Sequence, residues 1–206
     1  MTDIPPTVFV VDDDAAVRKG LLRLLKSAGY RVQAYSSADE FLAGWLPDPT
    51  PGCLLLDLML PGTDGLQLQQ RLQSARQEIP IIFITGHGDI PASVSAMKAG
   101  AVDFLTKPFE DNALLRAVDE AILRDTWERA KRAERQAVLS RFAALTPRES
   151  EVMALVVRGL PNKRIGVELG VSEKTVKIHR GRVMEKMQAQ SVAELVLAAQ
   201  NIRSAS

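Results

Sequence analysis

Cysteine is almost absent from this 206-residue chain, and Cys53 alone has no internal partner for a disulfide. That fits a reducing cytoplasm, and a single cysteine inside an apolar run reads as a small buried hydrophobe. No apolar run approaches the ~20 residues that a membrane helix needs, so no membrane association is expected. The first residues, Met1 to Pro6, lack the basic and apolar regions of a secretory signal. Repeats and low-complexity tracts are also missing. What remains is ordinary globular sequence, 46% hydrophobic and 25% charged, long enough for two small domains that each bury a core.

Net charge is nearly absent too, at +1, but the balance is uneven. Residues 1–124 carry 11 Lys and Arg against 16 Asp and Glu, and residues 125–206 carry 15 against 9. An acidic front and a basic back imply that only the back meets a polyanion. The front alternates strand and helix signals. Thr7–Val11, Arg31–Tyr35, Cys53–Leu56, Ile81–Thr85 and Val102–Thr106 read as strands. Ala15–Ala28, closed by Gly29, a segment capped by Ser37 with Glu40, Gly65–Ala75 and Pro91–Ala99 read as helices. Continuous apolar strands such as Cys53–Leu56 are expected when both sheet faces are covered. Five such units predict a doubly wound α/β fold with a five-stranded parallel sheet.

Glycine and proline are lacking from Asp111 to about Ala144, which predicts one long helix. Its apolar stripe (Leu114, Leu115, Val118, Ile122) fades after Leu123 into Trp127, alanines and dense charge. That stretch reads either as a solvated linker or as a helix pairing with its twin. The division is therefore 1–123, a linker over 124–143, and 144–206. The last part is all helix: Thr146-Pro-Arg-Glu149 is a capping box with proline at the first helical position, and that helix ends at Gly159. Asn162–Leu169, a Gly170-Val171 turn and Ser172–Met187 make a helix-turn-helix, and Ser191 caps a further helix.

The chemistry gathers at strand ends. Asp12, Asp13 and Asp14 follow the first strand, Asp57 follows the third, Thr85 ends the fourth, and Lys107-Pro108 follow the fifth. In a doubly wound sheet these share one rim, where ligands bind at the reversal of strand order. Clustered carboxylates repel unless a cation neutralises them, and an all-oxygen site selects a hard one such as Mg²⁺. Beside it, a carboxylate can attack phosphorus, with Lys107 pairing the phosphate charge and Thr85 offering a hydroxyl. Taken singly, Asp14 reads as a helix cap, Lys107 as a surface lysine, Thr85 as a strand-end hydroxyl and His87 as a loop residue. Four strand ends converging at once make coincidence a poor account.

Residues 7–123 resemble a receiver domain, a flavodoxin-like fold, through VVDDD at 10–14, LLLDLMLPGTDG at 54–65, ITG at 84–86 and TKPF at 106–109. The resemblance implies that Asp57 accepts a phosphoryl group. It implies that Asp12 and Asp13 form the acidic pair, and that Asp13 and Asp57 hold Mg²⁺ with the backbone carbonyl of Met59. Thr85 and Phe104 become the switch residues, Lys107 the phosphate-pairing lysine, and the Lys107–Pro108 bond is expected to be cis. Phe104 also reads as ordinary core.

On the helix over 172–187, Val176, Val183 and Met187 form an inward stripe, while Lys174, Lys177, Ile178, Gly181 and Arg182 face out. Such a surface fits a DNA major groove, with Lys163 and Arg164 of the preceding helix on backbone phosphates. Thr175 and His179 join the candidate contacts, although His179 also reads as a half-buried core member. Residues 145–200 resemble the DNA-binding domain of FixJ/NarL (LuxR-type) regulators, and TGHGDIP at 85–91 points to the FixJ branch. Gly181 departs from relatives that carry a longer side chain there.

Together the resemblances imply a two-component response regulator rather than an enzyme, with self-phosphorylation and dephosphorylation at Asp57 its own chemistry. A histidine kinase donates the phosphate, receivers dimerise, and paired basic domains reach promoter half-sites about one DNA turn apart. RNA polymerase is the implied further partner, activation the implied outcome and the cytoplasm the implied location. Before phosphorylation the receiver is expected to restrain the DNA-binding half. Two other kinds of protein share parts of this pattern. A haloacid-dehalogenase-type phosphatase places its nucleophile after the first strand and its acidic pair late, the reverse of the order here. A receiver with a protein-binding output does not account for the basic recognition helix.

Overall fold

In the computed structural model, which describes residues 4–46, 50–86 and 90–203, the β-branched and leucine runs become five strands. They are β1 (Thr7–Val11), β2 (Arg31–Tyr35), β3 (Gly52–Asp57), β4 (Ile81–Thr85) and β5 (Asp103–Thr106). All pair in parallel, in the order β2-β1-β3-β4-β5. Helices α1 (Ala15–Ser27), α2 (Ala38–Gly44), α3 (Gly65–Ser74), α4 (Ile90–Lys98) and α5 (Asp111–Ala143) supply the crossovers and the long helix. His87, read as a loop residue, lies outside the described residues.

The side-chain alternation of a strand divides the core into two layers. Phe9, Val11, Leu54, Leu56 and Phe83 point to one face and bury against Phe41 of α2 and Leu68 and Leu72 of α3. Val8, Val10, Cys53, Leu55, Ile82 and Ile84 point to the other, against Leu21 and Leu25 of α1 and Leu114 and Val118 of α5. Both faces of the sheet are covered, which is why β3 is apolar along its length. Truncating a fully buried leucine such as Leu55 to alanine costs about 2–5 kcal/mol in a core of this kind.

Some boundaries differ from the sequence reading. Strand β3 starts at Gly52 and takes in Asp57, because Asp57 still pairs in register with Ile84. Helix α4 starts at Ile90 rather than Pro91, and β5 starts at Asp103. Asp125, which the charge pattern assigns to a solvated stretch, is only 1% exposed. Its Oδ2 accepts from the N–H of Gly52 at 2.9 Å and pairs with Arg129, so α5 stays docked to the sheet beyond Leu123.

The chain separates into two compact units, one up to Arg129 and one from Ala130. The second holds α6 (Pro147–Val157), α7 (Asn162–Leu169), α8 (Glu173–Met187) and α9 (Val192–Arg203). Val152, Val156, Ile165, Val176, Val183, Met187 and Leu195 form its core, joined by Val138 from the end of α5. Thr146 and Glu149 exchange the two bonds of a capping box. Gly170 takes the left-handed conformation at φ 66° to turn α7 into α8, a geometry costly for residues with a Cβ. A Cβ at Gly166 would come within 2.8 Å of the Val171 carbonyl, so the turn packs directly on α7.

Candidate metal centre and nucleic-acid interface

Register places the crevice. Val11 pairs with Leu56, so Asp12 and Asp57 are the next residues on adjacent strands, at the carboxyl ends where β1 and β3 diverge in sequence order. Asp12 is fully buried, Asp57 is 6% exposed, and Asp13 is exposed at the rim. Carboxylate oxygens of Asp12, Asp13 and Asp57 lie within 4.8 Å of one another, the spacing of a shared cation. Lys107 Nζ donates to Asp12 Oδ2 and to Asp57 Oδ2, each at 2.6 Å. Asp14 N–H donates to Asp12 Oδ1, and Met59 N–H to Asp57 Oδ1, both at 2.9 Å.

One ammonium among three carboxylates leaves an excess of negative charge. Burial pushes the Asp12 carboxyl up from its ordinary value, against the bonds from Lys107 and Asp14. Burial also disfavours the Lys107 ammonium, but its two carboxylate partners outweigh that and hold its pKa above the ordinary value. The all-oxygen donor set and its surplus charge fit a hard divalent cation.

The remaining predicted residues lie on β4, on β5 and in the turn that follows it. Thr85 is fully buried at the end of β4, and its carbonyl accepts from Lys107 N–H at 2.7 Å. The Lys107–Pro108 peptide is cis. Phe104 is half-buried on β5, its ring 6.4 Å from that of Phe83. Gly65 is required at the start of α3, where a Cβ would stand 2.5 Å from the Asp57 carbonyl. Sequence reading missed Arg18, whose Nη1 donates to the Asp12 carbonyl at 2.6 Å. Its signal was its place, one turn after the Asp14 cap.

The second unit presents a different surface. On α8, Val176, Val183 and Met187 are buried, while Lys174, Lys177, Gly181 and Arg182 are exposed and Ile178 is 50% exposed. Thr175 is half-buried, its N–H bonded to the Ser172 cap at 3.1 Å. His179 is also half-buried, and its Nδ1 is buried with no hydrogen-bond partner among the described residues. Lys163 and Arg164 are exposed at the start of α7. Three fastenings were not foreseen. Arg180 donates to Asn162 Oδ1 at 3.0 Å, tying α8 to α7. Arg148 donates to the Leu169 carbonyl. Lys186 pairs with buried Glu149 at 2.7 Å, tying α8 to α6. Glu149 is held down to about 2, chiefly by Lys186 and then by the Thr146 N–H.

Residues 8–119 match the response regulator receiver domain, and residues 143–199 match the bacterial regulatory proteins of the luxR family. The chain belongs to the response regulators. Among relatives of this response regulator, Nodulation protein W of Bradyrhizobium diazoefficiens is 52% identical over 189 residues, covering 92% of this chain and 83% of that protein. The transcriptional regulatory protein FixJ of Rhizobium meliloti is 43% identical, covering 95% of each. Response regulator StyR superposes with a TM-score of 0.87 at 47% identity, over 95% of this chain and 98% of that one. Full-length FixJ from B. japonicum superposes at 0.58 and 42% identity, over 96% and 97%. The response regulator is thus a two-component transcription regulator, built from a receiver and a LuxR-type helix-turn-helix DNA-binding domain. Among the described residues no helix is long and apolar enough to cross a membrane.

Proposed function

We infer that this regulator is switched by phosphoryl transfer from a histidine kinase to Asp57. The observation that carries the reading is Lys107 Nζ lying 2.6 Å from both Asp12 and Asp57 at the reversal of strand order. The carboxylate of Asp57 attacks phosphorus as the P–N bond of the kinase phosphohistidine breaks, and the released imidazole nitrogen takes up a proton from solvent. Lys107 exchanges a carboxylate contact for the phosphoryl oxygens, and Thr85 offers them its hydroxyl. Asp12, Asp13 and Asp57, with the carbonyl of Met59, would hold Mg²⁺, which screens the charge of the incoming phosphoryl group. The same residues serve self-phosphorylation from small donors and later hydrolysis.

New charge at Asp57 draws Thr85, and Phe104 follows into the space it leaves, which reshapes the face made by α4, β5 and the start of α5. Receivers then dimerise, and the DNA-binding domains engage paired half-sites. The receiver comprises residues 1–123, a helical linker 124–143 and the DNA-binding domain 144–206. Lys174, Thr175, Lys177, Ile178, His179 and Arg182 face the major groove, with Lys163 and Arg164 on phosphates. RNA polymerase is the partner at the promoter, activation the outcome and the cytoplasm the location.

Incubation with acetyl phosphate and Mg²⁺, followed by peptide mapping, tests the acceptor. Phosphate is expected on Asp57 in the wild type, and Asp57→Asn is expected to take up none. Labelling that persists undiminished in Asp57→Asn refutes the assignment.

A further inference from the structure

Arg18 lies outside the carboxylate crevice, yet it is bonded to the loop that builds it. The Asp14 side chain accepts from Ala16 N–H at 2.7 Å and Val17 N–H at 3.3 Å, so α1 begins at once and Arg18 falls one turn along. From there its Nη1 donates to the Asp12 carbonyl at 2.6 Å. Every other polar group of Asp12 is also engaged. Its N–H donates to Tyr35 O at 3.3 Å, and its two carboxylate oxygens accept from Asp14 N–H and Lys107 Nζ. On the far side, Glu40 is held below the ordinary carboxylate range mainly by its bonds from Ser36, with Arg18 adding a smaller attraction.

The Asp12 carbonyl belongs to the planar peptide that leads into Asp13. Fixing that oxygen therefore fixes the plane from which exposed Asp13 departs. We propose that Arg18 is a positioning residue for the cation site, holding the Asp12–Asp13 peptide so that the Asp13 carboxylate meets those of Asp12 and Asp57. The proposal rests on the divalent-cation reading of the crevice given above.

Charge and position predict opposite signs here. A second cation near three carboxylates repels a divalent ion, so a purely electrostatic Arg18 weakens binding and its removal strengthens it. A positioning Arg18 has the reverse effect, and groups that orient metal ligands cost about 10–100-fold in affinity when removed.

Calorimetric titration of the full chain with Mg²⁺ alone, without phosphodonor, separates these cases. Arg18→Met is expected to bind Mg²⁺ about 10–100-fold more weakly than wild type. Arg18→Lys, which still has a donor, is expected to recover part of the loss. If Arg18→Met binds as tightly as wild type, or more tightly, the proposal is overturned. A lowered melting temperature with unchanged Mg²⁺ affinity overturns it equally, since that marks a merely structural role. Should Arg18→Met not fold, Arg18→Leu, which also lacks a donor, carries the same prediction. Asp13→Asn distinguishes the underlying reading: if wild type and Asp13→Asn bind Mg²⁺ alike, the crevice is not the site and both inferences fall.

Discussion

At the scale of single residues, two of the buried ion pairs among the described residues can each be probed alone. Asp12 and Asp57 share Lys107 at the sheet rim, and Glu149 of α6 pairs with Lys186 of α8. Glu149 has a folded pKa of about 2 against an ordinary 4.5. A carboxylate depressed on folding contributes stability that is fully present above its unfolded pKa and is lost as pH falls towards the folded one. The second unit is therefore expected to melt at progressively lower temperature between pH 4.5 and about 2, and Glu149→Gln to flatten that slope. Calorimetry of both proteins across the window checks it; identical slopes would remove Glu149 from the balance. The crevice residues were legible from sequence because strand ends are legible, and a parallel sheet brings its strand ends together. Arg18, Arg180 and Asp125 were not. Their roles depend on which carbonyl, amide or helix comes near in three dimensions, and Asp125 meets Gly52 across 73 positions of sequence.

Elements were the most legible scale, since caps and periodicity are local. The Thr146–Glu149 box, the Gly170 turn and the buried stripe of α8 all formed where residue types placed them. Boundaries moved by a residue or two, as at Ile90 and at Asp57, which pairs with Ile84. The extent of α5 packing was hidden, because a buried aspartate breaks the apolar pattern that sequence reading follows. The two faces of α8 predict two separable effects. Met187→Ala opens the core and is expected to cost about 2–5 kcal/mol of stability in the second unit, measured by urea unfolding. Lys177→Ala is expected to leave stability within about 0.5 kcal/mol of wild type. It should also weaken promoter binding and, if the lysine meets a phosphate, reduce the slope of log affinity against log salt by about 1. Unchanged binding at moderate salt would take Lys177 out of the interface.

For the whole molecule, the division of charge matches the division of labour. The acidic unit carries the carboxylate crevice, and the basic unit carries the exposed Lys174, Lys177 and Arg182 of α8. Helix α5 belongs to both units in sequence, running from Asp111 to Ala143 across the boundary at Arg129. A receiver and a DNA-binding domain on one chain are useful together only if chemistry at Asp57 changes what the second unit does. Promoter affinity of the full chain, titrated with and without acetyl phosphate and Mg²⁺ for wild type and Asp57→Asn, measures that coupling. The account predicts that phosphodonor tightens binding by wild type and leaves Asp57→Asn unchanged. Wild-type affinity indifferent to phosphodonor, or equal tightening in Asp57→Asn, would contradict it.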